Sequence, residues 1–241
     1  MTRAMDSPSE RQILLVGASR GLGLGLAKSF AAHGWNVVAT ERRNSSTGAL
    51  SAAAAAVGRI RIASVDINDS QSVQTLRRDL IGETFDVIFI VAGIRDTDPT
   101  RPTHLVPVDE AIHVFRSNAY SPICFAEMFF DLLKPCGTIA MMTSRMGSLT
   151  LVSMVDDGSW EIYRASKAAL NMLARCFYER HKEEGCTILL MHPGWVKTDM
   201  GGENAPVDLE ASVDGLYGTL AKWHGSGKQA FLDYQGNELP W

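Results

Sequence analysis

The sequence predicts an α/β protein with a single doubly wound domain, in which about seven parallel strands carry helices on both faces. Short runs rich in Ile, Leu and Val alternate with longer segments of helical period from one end of the chain to the other. The short runs are apolar at nearly every position, as is typical of strands covered on both faces. At 241 residues, 46% of them hydrophobic, the chain can bury one large core.

Each strand is predicted where a short β-type run ends in polar or turn-forming residues, and each helix where apolar residues recur with helical period. The predicted strands are Gln12 to Val16, Asn36 to Thr40, Ile60 to Ser64, Asp86 to Val91, Thr138 to Thr143, Cys186 to His192 and Gln229 to Asp233. The predicted helices are Leu22 to His33, Gly48 to Ala56, Ser70 to Leu80, Val108 to Leu133, Glu161 to Lys182 and Asp208 to Trp223. Residues 13–241 are therefore expected to form one domain, and the polar residues 1–12 to be disordered.

Composition favours a small molecule as the main partner. The net charge of −4, with no basic run or stripe, argues against nucleic acid and against an anionic membrane surface. No apolar stretch reaches about 18 residues and no secretion signal begins the chain, so a cytoplasmic protein is expected. The four cysteines lack metal-ligand spacing and the six histidines are scattered, so no metal site is expected. His192, at a strand end, is interpreted as structural.

A glycine-rich turn follows the first predicted strand and leads into the first predicted helix. Glycines there let backbone N–H groups and the positive end of the helix dipole approach a pyrophosphate, as in a Rossmann fold. The spacing is GxxxGxG, so the more general GxGxxG pattern does not match, but the position between strand and helix favours nucleotide binding. The candidate contacts are Gly17, Ser19, Arg20, Gly21, Leu22 and Gly23.

The end of the second strand carries conflicting signals for the cofactor. Glu41 could bind a ribose 2′-hydroxyl, whereas Arg42 and Arg43, with Arg20 of the glycine turn, could bind a 2′-phosphate. Three guanidinium groups outweigh one carboxylate that can rotate outward, so NADP(H) is favoured over NAD(H). Asp66 and Ile67, after the third strand, are expected to flank the adenine, although an Asp there could instead cap the next helix.

Tyr163 and Lys167 lie four residues apart and therefore share one face of a helix. Tyr178 and Lys182 form a second pair with the same spacing. Ser144 ends the fifth strand, and the helix of Tyr163 begins after the following loop, so Tyr163 is expected at the carboxyl edge of the sheet, where ligands bind. Tyr178 would lie roughly 22 Å further along the helix, at the opposite edge.

At that edge the residue types suit reduction of a carbonyl. Tyr163 would supply the proton, but its ordinary pKa near 10 is high for exchange at neutral pH. A Lys167 ammonium about 5 Å away would lower that pKa by about two units at an effective dielectric constant of 20. Ser144 could donate a hydrogen bond to the substrate oxygen as negative charge develops there.

These residues, in this order, resemble the short-chain dehydrogenase/reductase family over essentially the whole chain after the first dozen residues. The resemblance rests on the glycine turn, on Ser144 with Gly147, on the run Tyr163 to Lys167, and on Pro193 to Met200. A narrower likeness, to the subgroup of the sniffer carbonyl reductase and the bacterial C-factor, rests on His192 to Met200, Gly201-Gly202, Ala205-Pro206 and the tail Phe231 to Trp241.

The resemblance implies further roles. Residues 13–241 would be a single dinucleotide-binding catalytic domain, and Asn118 would complete a Ser-Tyr-Lys-Asn tetrad by supporting a water that relays protons to Lys167. Lys167 would also bind the nicotinamide ribose, and the segment from Trp195 to about Leu216 would close over the substrate. A homodimer or homotetramer would form through the helices that carry Asn118 and Tyr163. The remaining cofactor contacts would come from Ala92, Gly93, Pro193, Gly194, Val196 and Thr198.

Two departures from the family pattern stand out. Ile90-Val91-Ala92-Gly93 replaces the usual Asn-Asn-Ala-Gly after the fourth strand, so a side chain that ties this strand to its neighbour is lost. The spacing from Ser144 to Tyr163 is longer than is common in the family. The extra residues fall within Leu149 to Trp160, an acidic loop with Asp156 and Asp157 that borders the expected pocket.

The leading hypothesis is an NADP(H)-dependent oxidoreductase that transfers a hydride between nicotinamide C4 and a carbonyl or secondary alcohol, with Tyr163 as general acid and base. A nucleotide-sugar epimerase also uses Tyr and Lys, but usually needs a larger carboxyl-terminal domain than this chain can supply. The alternative from another class is a non-catalytic NADP(H)-binding redox sensor. Ser144, Tyr163 and Lys167 argue against a sensor, which has no need of a proton relay.

Overall fold

The chain forms one parallel sheet of seven strands with helices on both faces. The computed structural model describes residues 11–44, 48–152 and 159–241. The strand order is β3-β2-β1-β4-β5-β6-β7, and every neighbouring pair is parallel. The predicted fold class is confirmed. The strands are β1 Gln12–Val16, β2 Asn36–Glu41, β3 Ile60–Ser64, β4 Phe85–Ile90, β5 Leu133–Met142, β6 Thr187–His192 and β7 Gln229–Asp233.

The helices divide between the two faces of the sheet because successive strand side chains point in opposite directions. Ile13 and Leu15 of β1 pack in a cluster with the first, second and last helices. Leu14 and Val16 pack in a second cluster with residues of the third, fifth and sixth helices. Within the described ranges, the α-helices are α1 Gly21–Ala32, α2 Ala49–Val57, α3 Ser70–Asp79, α4 Val108–Phe115, α5 Ser121–Phe129, α6 Glu161–His181 and α7 Leu209–Trp223.

The prediction of one long helix from Val108 to Leu133 is wrong in two respects. A π-helical segment, Arg116–Tyr120, separates α4 from α5, and its residues Ser117, Asn118 and Ala119 are buried. Periodicity alone could not reveal this segment, because the backbone stays helical through it. The helix also stops earlier than predicted, at Phe129, and a short 3₁₀ turn Phe130–Leu132 leads into β5.

Strand β5 begins five residues before its predicted start at Thr138. Leu133 pairs with Phe85, and the register shifts before Thr138 pairs with Val87. Cys136 has φ of 59° within this irregularity, a left-handed conformation that few residues other than glycine adopt. The sequence Lys134-Pro135-Cys136-Gly137 is typical of a turn. The irregular pairing accommodates these residues, so strand β5 continues through them. The other predicted elements agree with the structure to within one residue at each end.

Some predictions concern residues outside the described ranges. The predicted disorder of residues 1–12 concerns mainly residues 1–10, which are not described, while Gln12 already belongs to β1. Asp156 and Asp157 of the acidic loop also lie outside the described residues. None of the helices that the structure describes is both long and apolar enough to span a membrane. No group of three His, Cys, Asp or Glu residues suited to a metal ion occurs in those same ranges.

The strand order places a crevice at the end of the sheet where β1 meets β4. Connections from β1 run outward through β2 and β3 on one side, and those from β4 run outward through β5, β6 and β7 on the other. Such a reversal opens a crevice at the carboxyl ends of the strands, and ligands of doubly wound sheets bind there. The predicted site residues follow β1, β2, β3, β4, β5 and β6 at this same edge.

Candidate active site

The glycine turn after β1 is packed too tightly for side chains. A Cβ atom on Gly23 would lie 2.0 Å from the carbonyl oxygen of Gly17, and one on Gly17 would lie 2.9 Å from the backbone nitrogen of Ala92. Gly17 also has φ of 94°. Its N–H donates to Oγ1 of Thr40 at 3.1 Å, so the end of β2 helps to hold the turn. The start of α1 is thereby held at the crevice, and its N-cap residue Arg20 provides no side-chain cap.

The loss of the family's asparagine after β4 is compensated by the backbone. The N–H groups of Val91 and Ala92 both donate to the carbonyl oxygen of Val16, at 2.9 and 3.1 Å. These bonds join the end of β4 to the end of β1 directly. Backbone hydrogen bonds therefore fix Val91 and Ala92 at the crevice.

Ser144 and Tyr163 meet at the predicted edge. Ser144 follows β5, and its Oγ accepts a hydrogen bond from the N–H of Met146 at 3.1 Å, which begins the turn Arg145–Gly147. The Tyr163 phenol lies within hydrogen-bonding reach of the Ser144 hydroxyl. A Cβ on Gly147 would lie 2.8 Å from the backbone carbon of Lys167, so this glycine lets α6 approach the Ser144 turn closely.

The pKa of Tyr163 moves in the direction opposite to the sequence-based expectation. Burial raises it to about 12, because removal of water destabilises the phenolate; the Ser144 hydrogen bond opposes this rise and the charge of Asp96 adds to it. The Nζ atom of Lys167 lies 5.7 Å from the centroid of the tyrosine ring. In the protein alone, desolvation therefore outweighs the predicted effect of the ammonium, and the phenol is held in its protonated form.

Lys167 is itself buried beside the strand end. Its Nζ donates to the carbonyl oxygen of Met142 at 3.0 Å. Burial lowers the pKa of the amine to about 8, so some of it can lose its proton near neutral pH. A Cβ built on Gly93 would lie 3.2 Å from Oδ1 of Asn118 and 3.3 Å from Nζ of Lys167, so both side chains converge on this glycine.

Asn118 joins three parts of the site from the π-helical segment. Its Oδ1 accepts from the N–H of Ile94 at 2.8 Å, and its Nδ2 donates to the carbonyl oxygen of Ile94 at 2.8 Å. The same Nδ2 donates to Oγ of Ser166 at 3.0 Å, and Ser166 donates to the carbonyl oxygen of Tyr163 at 2.7 Å. Because π-helical segments often occur at functional sites, the widened turn suits a residue that must reach inward.

The second Tyr-Lys pair has a different environment. The hydroxyl of Tyr178 donates to the carbonyl oxygen of Gly227 at 3.0 Å, just before β7 begins. Lys182 donates to Glu179 at 3.0 Å on the exposed end of the helix. Both contacts lie at the amino edge of the sheet, away from Ser144 and from the glycine turn.

Arg42 and Arg43 lie at a polar cleft beside Asp66. The cleft has a volume of roughly 530 Å³, and Ser64, Asp69 and Ser72 also line it. Asp66 accepts from the N–H of Asn68 at 2.9 Å within a tight turn, whereas the cap of α3 is Asp69. The third candidate cation, Arg20, lies elsewhere and forms an exposed ion pair with Asp199 at 2.9 Å. Arg42 and Arg43 are thus the two basic residues placed together with Asp66.

The loop after β6 approaches the glycine turn. Oγ1 of Thr198 donates to the carbonyl oxygen of Val196 at 3.3 Å and accepts from the N–H of Gly201 at 3.1 Å. A Cβ on Gly21 would lie 3.7 Å from the methyl group of Thr198. Ser212 of α7 donates to the carbonyl oxygen of Pro193 at 2.6 Å, which fixes the start of this loop.

His192 ends β6 as a buried side chain. Within the part of the chain that the structure describes, its Nδ1 has no hydrogen-bond partner. Burial lowers its pKa to about 4, and the neighbouring charge of Arg145 acts in the same direction. The imidazole is therefore neutral at neutral pH and packs as part of the strand end, in keeping with a structural role.

Several residues of the site carry no signal in the sequence. Thr40 holds the glycine turn and Ser166 links Asn118 to Tyr163, yet each looks like an ordinary strand or helix residue. Asp96 lies in the loop after β4 and belongs to no motif, although its charge raises the pKa of Tyr163. Only the folded chain brings these residues to the site.

The fold and the glycine turn at the crevice together define a dinucleotide-binding oxidoreductase. The chain belongs to the short-chain dehydrogenase family, whose model, described as short chain dehydrogenase, matches residues 11–207. The predicted family is confirmed.

Individual relatives agree with the family assignment. The C-signal protein of Myxococcus xanthus is 44% identical over 103 residues, which are 43% of this chain and 60% of the relative, so the match spans less than two thirds of that protein. A Burkholderia multivorans structure, described as a short-chain dehydrogenase/reductase with bound NADP, is 37% identical, with a TM-score of 0.92 over 96% of this chain and 100% of that one. The carbonyl reductase Sniffer of D. melanogaster is 28% identical, with a TM-score of 0.85 over 96% and 100%. The likenesses to C-signal and Sniffer confirm the predicted subgroup.

Proposed function

We propose that the chain is an NADP(H)-dependent carbonyl reductase in which Ser144, Tyr163, Lys167 and Asn118 form the catalytic group. The observation that carries the proposal is the Tyr163 phenol within hydrogen-bonding reach of Ser144, beside Lys167 and at the same edge as the glycine turn. A carbonyl oxygen placed between the two hydroxyl groups would accept a hydrogen bond from each. Bound NADPH would supply the hydride that reduces the carbonyl carbon.

The roles of the protein groups follow from their environments. Tyr163 donates its proton to the developing alkoxide, and its raised pKa keeps the proton in place until the substrate arrives. Ser144 donates a hydrogen bond to the same oxygen as charge accumulates there. Lys167, with its pKa lowered to about 8, can return a proton to the tyrosinate. Asn118 bonds Ile94 after β4 and Ser166 of α6, and it thereby holds the two elements on either side of the proton path.

The residues of the crevice fit the proposed cofactor. The turn would hold the pyrophosphate through Gly17, Ser19, Gly21, Leu22 and Gly23, because neither Gly17 nor Gly23 has room for a Cβ. Asp66 and Ile67 would flank the adenine, and Arg42, with Arg43, would bind the 2′-phosphate. Arg20 would contribute by exchanging its ion pair with Asp199 for the phosphate. The nicotinamide half would contact Ala92, Gly93, Tyr163, Lys167, Pro193, Gly194, Val196 and Thr198.

The arginine cleft predicts a selective effect on NADPH. Arg42→Ala and Arg43→Ala should each weaken NADPH binding by about tenfold, the equivalent of about 1.4 kcal/mol for an exposed charge-assisted contact. NADH binding should change by less than about threefold, since NADH lacks the 2′-phosphate. Fluorescence titration measures the affinity of each variant for NADPH and for NADH. Arg59→Ala is the matched control, because Arg59 bonds Asn36 at the amino edge of the sheet. Equal losses for NADH and NADPH would contradict the assignment.

The substrate is proposed to be a carbonyl compound with an apolar body. Large apolar side chains remain exposed on the loops that follow β5 and β6 at the carboxyl edge of the sheet; they are Leu149, Val152, Trp195 and Met200. Exposed apolar groups at a crevice are typical of a binding surface for an apolar ligand. The test is NADPH oxidation across a panel of aldehydes and ketones of increasing apolar size, with turnover expected for the larger members. Tight NADPH binding without turnover of any carbonyl would instead support the redox-sensor alternative.

We also propose that the chain forms a homodimer or homotetramer through α4 and α6. Val108 and Ile112 of α4 and Met172 of α6 are 72%, 58% and 65% exposed, which is unusual for apolar residues in a monomer. Val108 and Ile112, together with Leu173 of α6, border a mostly apolar groove. Light scattering on the full chain should give twice or four times the mass of one chain. A mass that falls to one chain in Ile112→Asp would place the interface on this face, and a monomeric wild type would contradict the proposal.

A further inference from the structure

The tail after β7 turns back along the edge of the sheet. Oδ1 of Asp233 accepts from the N–H of Asn237 at 2.9 Å, which closes a tight turn. Past this turn, the N–H of Leu239 donates to the carbonyl oxygen of Phe231 at 2.8 Å, and an antiparallel bridge also joins the tail to β7. Because β7 is the last strand in the described sheet order, the tail pairs with an edge that would otherwise be open.

Trp241 joins this tail to the loop that follows Ser144. Its main-chain oxygen accepts from Oγ of Ser148 at 3.2 Å, and from the N–H and Oγ1 of Thr150 at 3.3 and 2.9 Å. Its indole ring packs on the buried ring of Phe231 in β7, with 5.5 Å between the ring centroids. The ring contact therefore anchors Trp241 to the sheet, and the main-chain oxygen holds the loop to Trp241.

Ser148 extends this contact into the rest of the loop. The residue is only 1% exposed, and its Oγ also accepts from the N–H of Leu151 at 3.2 Å. Leu149 and Val152, which flank the bonded residues, are 79% and 48% exposed. They belong to the apolar surface proposed above for the substrate. The contact with Trp241 therefore sets the position of this part of that surface.

Ser144 is held independently of the tail. Oγ1 of Thr143 donates to Oδ1 of Asn171 in α6 at 2.8 Å, and Nδ2 of Asn171 donates to the carbonyl oxygen of Gly147 at 3.4 Å. These bonds attach the chain to α6 on both sides of Ser144. Loss of the tail contact should therefore move residues 148–152 and leave the Ser144 hydroxyl in place.

We propose that Trp241 is a positioning residue for substrate specificity, because it holds residues 148–152 against the sheet edge. It acts through the loop and not on the reacting atoms. This inference rests on the proposed carbonyl reductase function and deepens it. Large apolar carbonyl compounds, which reach Leu149 and Val152, depend on Trp241, whereas small ones, which contact mainly Ser144 and Tyr163, do not.

Substitutions on both sides of the contact test its effect on specificity. Trp241→Ala removes the ring that packs on Phe231, and should raise KM for a large apolar ketone by about tenfold. For a small aldehyde, kcat and KM should change by less than about twofold. Trp241→Phe keeps an aromatic ring and should restore most of the affinity for the large ketone. Ile81→Ala is the control, because Ile81 is an apolar side chain, 73% exposed, that follows α3 at the amino edge of the sheet.

Thr150→Val tests the same contact from the loop. Thr150 is exposed, so its substitution by valine should leave folding intact even if Trp241→Ala does not fold. The variant removes the hydroxyl that donates to Trp241 and keeps the N–H. We expect KM for the large ketone to rise by about threefold, as is usual for the loss of one hydrogen bond.

Hydrogen exchange measures the contact without turnover. The amide of Thr150 should exchange about tenfold faster in Trp241→Ala than in the wild type, and at the wild-type rate in Ile81→Ala. Unchanged exchange in Trp241→Ala would overturn the proposal. So would faster exchange with equal changes in KM for the large and the small substrate. If the wild type reduces no carbonyl, the proposed function fails, but the exchange rates still decide whether Trp241 holds the loop.

Discussion

Tyr163→Phe is expected to lower kcat for carbonyl reduction by about 10³-fold while NADPH binding stays within about twofold of the wild type. Phenylalanine keeps the ring that packs beside Trp160, with 5.9 Å between centroids, and removes only the hydroxyl near Ser144. The variant should therefore lose proton transfer and keep NADPH binding. Initial rates with an accepted carbonyl, together with fluorescence titration of NADPH, measure both quantities.

The control for this substitution lies on the same helix. Tyr178→Phe removes a hydroxyl that donates to Gly227 at the opposite edge of the sheet, so kcat should be unchanged and the free energy of unfolding should fall by about 1 kcal/mol. The two variants make the same chemical change in the two Tyr-Lys pairs. Normal turnover in Tyr163→Phe, or an equal loss in both, would show that Tyr163 is not the proton donor.

Gly23→Ala is expected to weaken NADPH binding by about 100-fold, or about 2.7 kcal/mol. The added Cβ would lie 2.0 Å from the carbonyl oxygen of Gly17 and 2.9 Å from Cα of Ala18, so backbone atoms must move. That movement displaces the N–H groups that face the crevice at the start of α1. The same strain should lower the free energy of unfolding by about 3 kcal/mol, as overpacking of a buried site does.

Gly218→Ala is the matched control for this change. Gly218 lies within α7, and a Cβ there would meet no atom within 4 Å. Alanine is the better helix former, so the variant should be as stable as the wild type or more stable by up to about 1 kcal/mol. Urea unfolding and NADPH titration of both variants give the comparison. Unimpaired NADPH affinity in Gly23→Ala would place the cofactor away from this turn.

The fold could be predicted from the sequence because its signals are local. A strand run such as Phe85–Ile90 is apolar at most positions, and α6 repeats its apolar residues with helical period, so both are visible without tertiary contacts. The π-helical segment at Asn118 and the early start of β5 at Leu133 were not predictable in this way. The first depends on packing around buried Asn118, and the second on a pairing with Phe85 that is distant in sequence.

The site was predictable to a similar degree. The positions of Tyr163, Lys167 and Ser144 at one edge follow from element order and helix length, which the sequence determines. The direction of the pKa shift of Tyr163 could not be predicted from the Tyr-Lys spacing, because burial of the phenol raises this pKa. Burial is the sum of contacts from several loops and cannot be read from the spacing of two residues.

The sequence by itself therefore determined the order of strands and helices, the glycine turn, and the pairing of Tyr163 with Lys167, because strand and helix periods act over a few residues. The tertiary structure alone decided that Arg42 and Arg43 share a cleft with Asp66, and that Thr198 lies beside Gly21. Those relations join loops from different strands, and the closing of the sheet sets their distances, burial and charge.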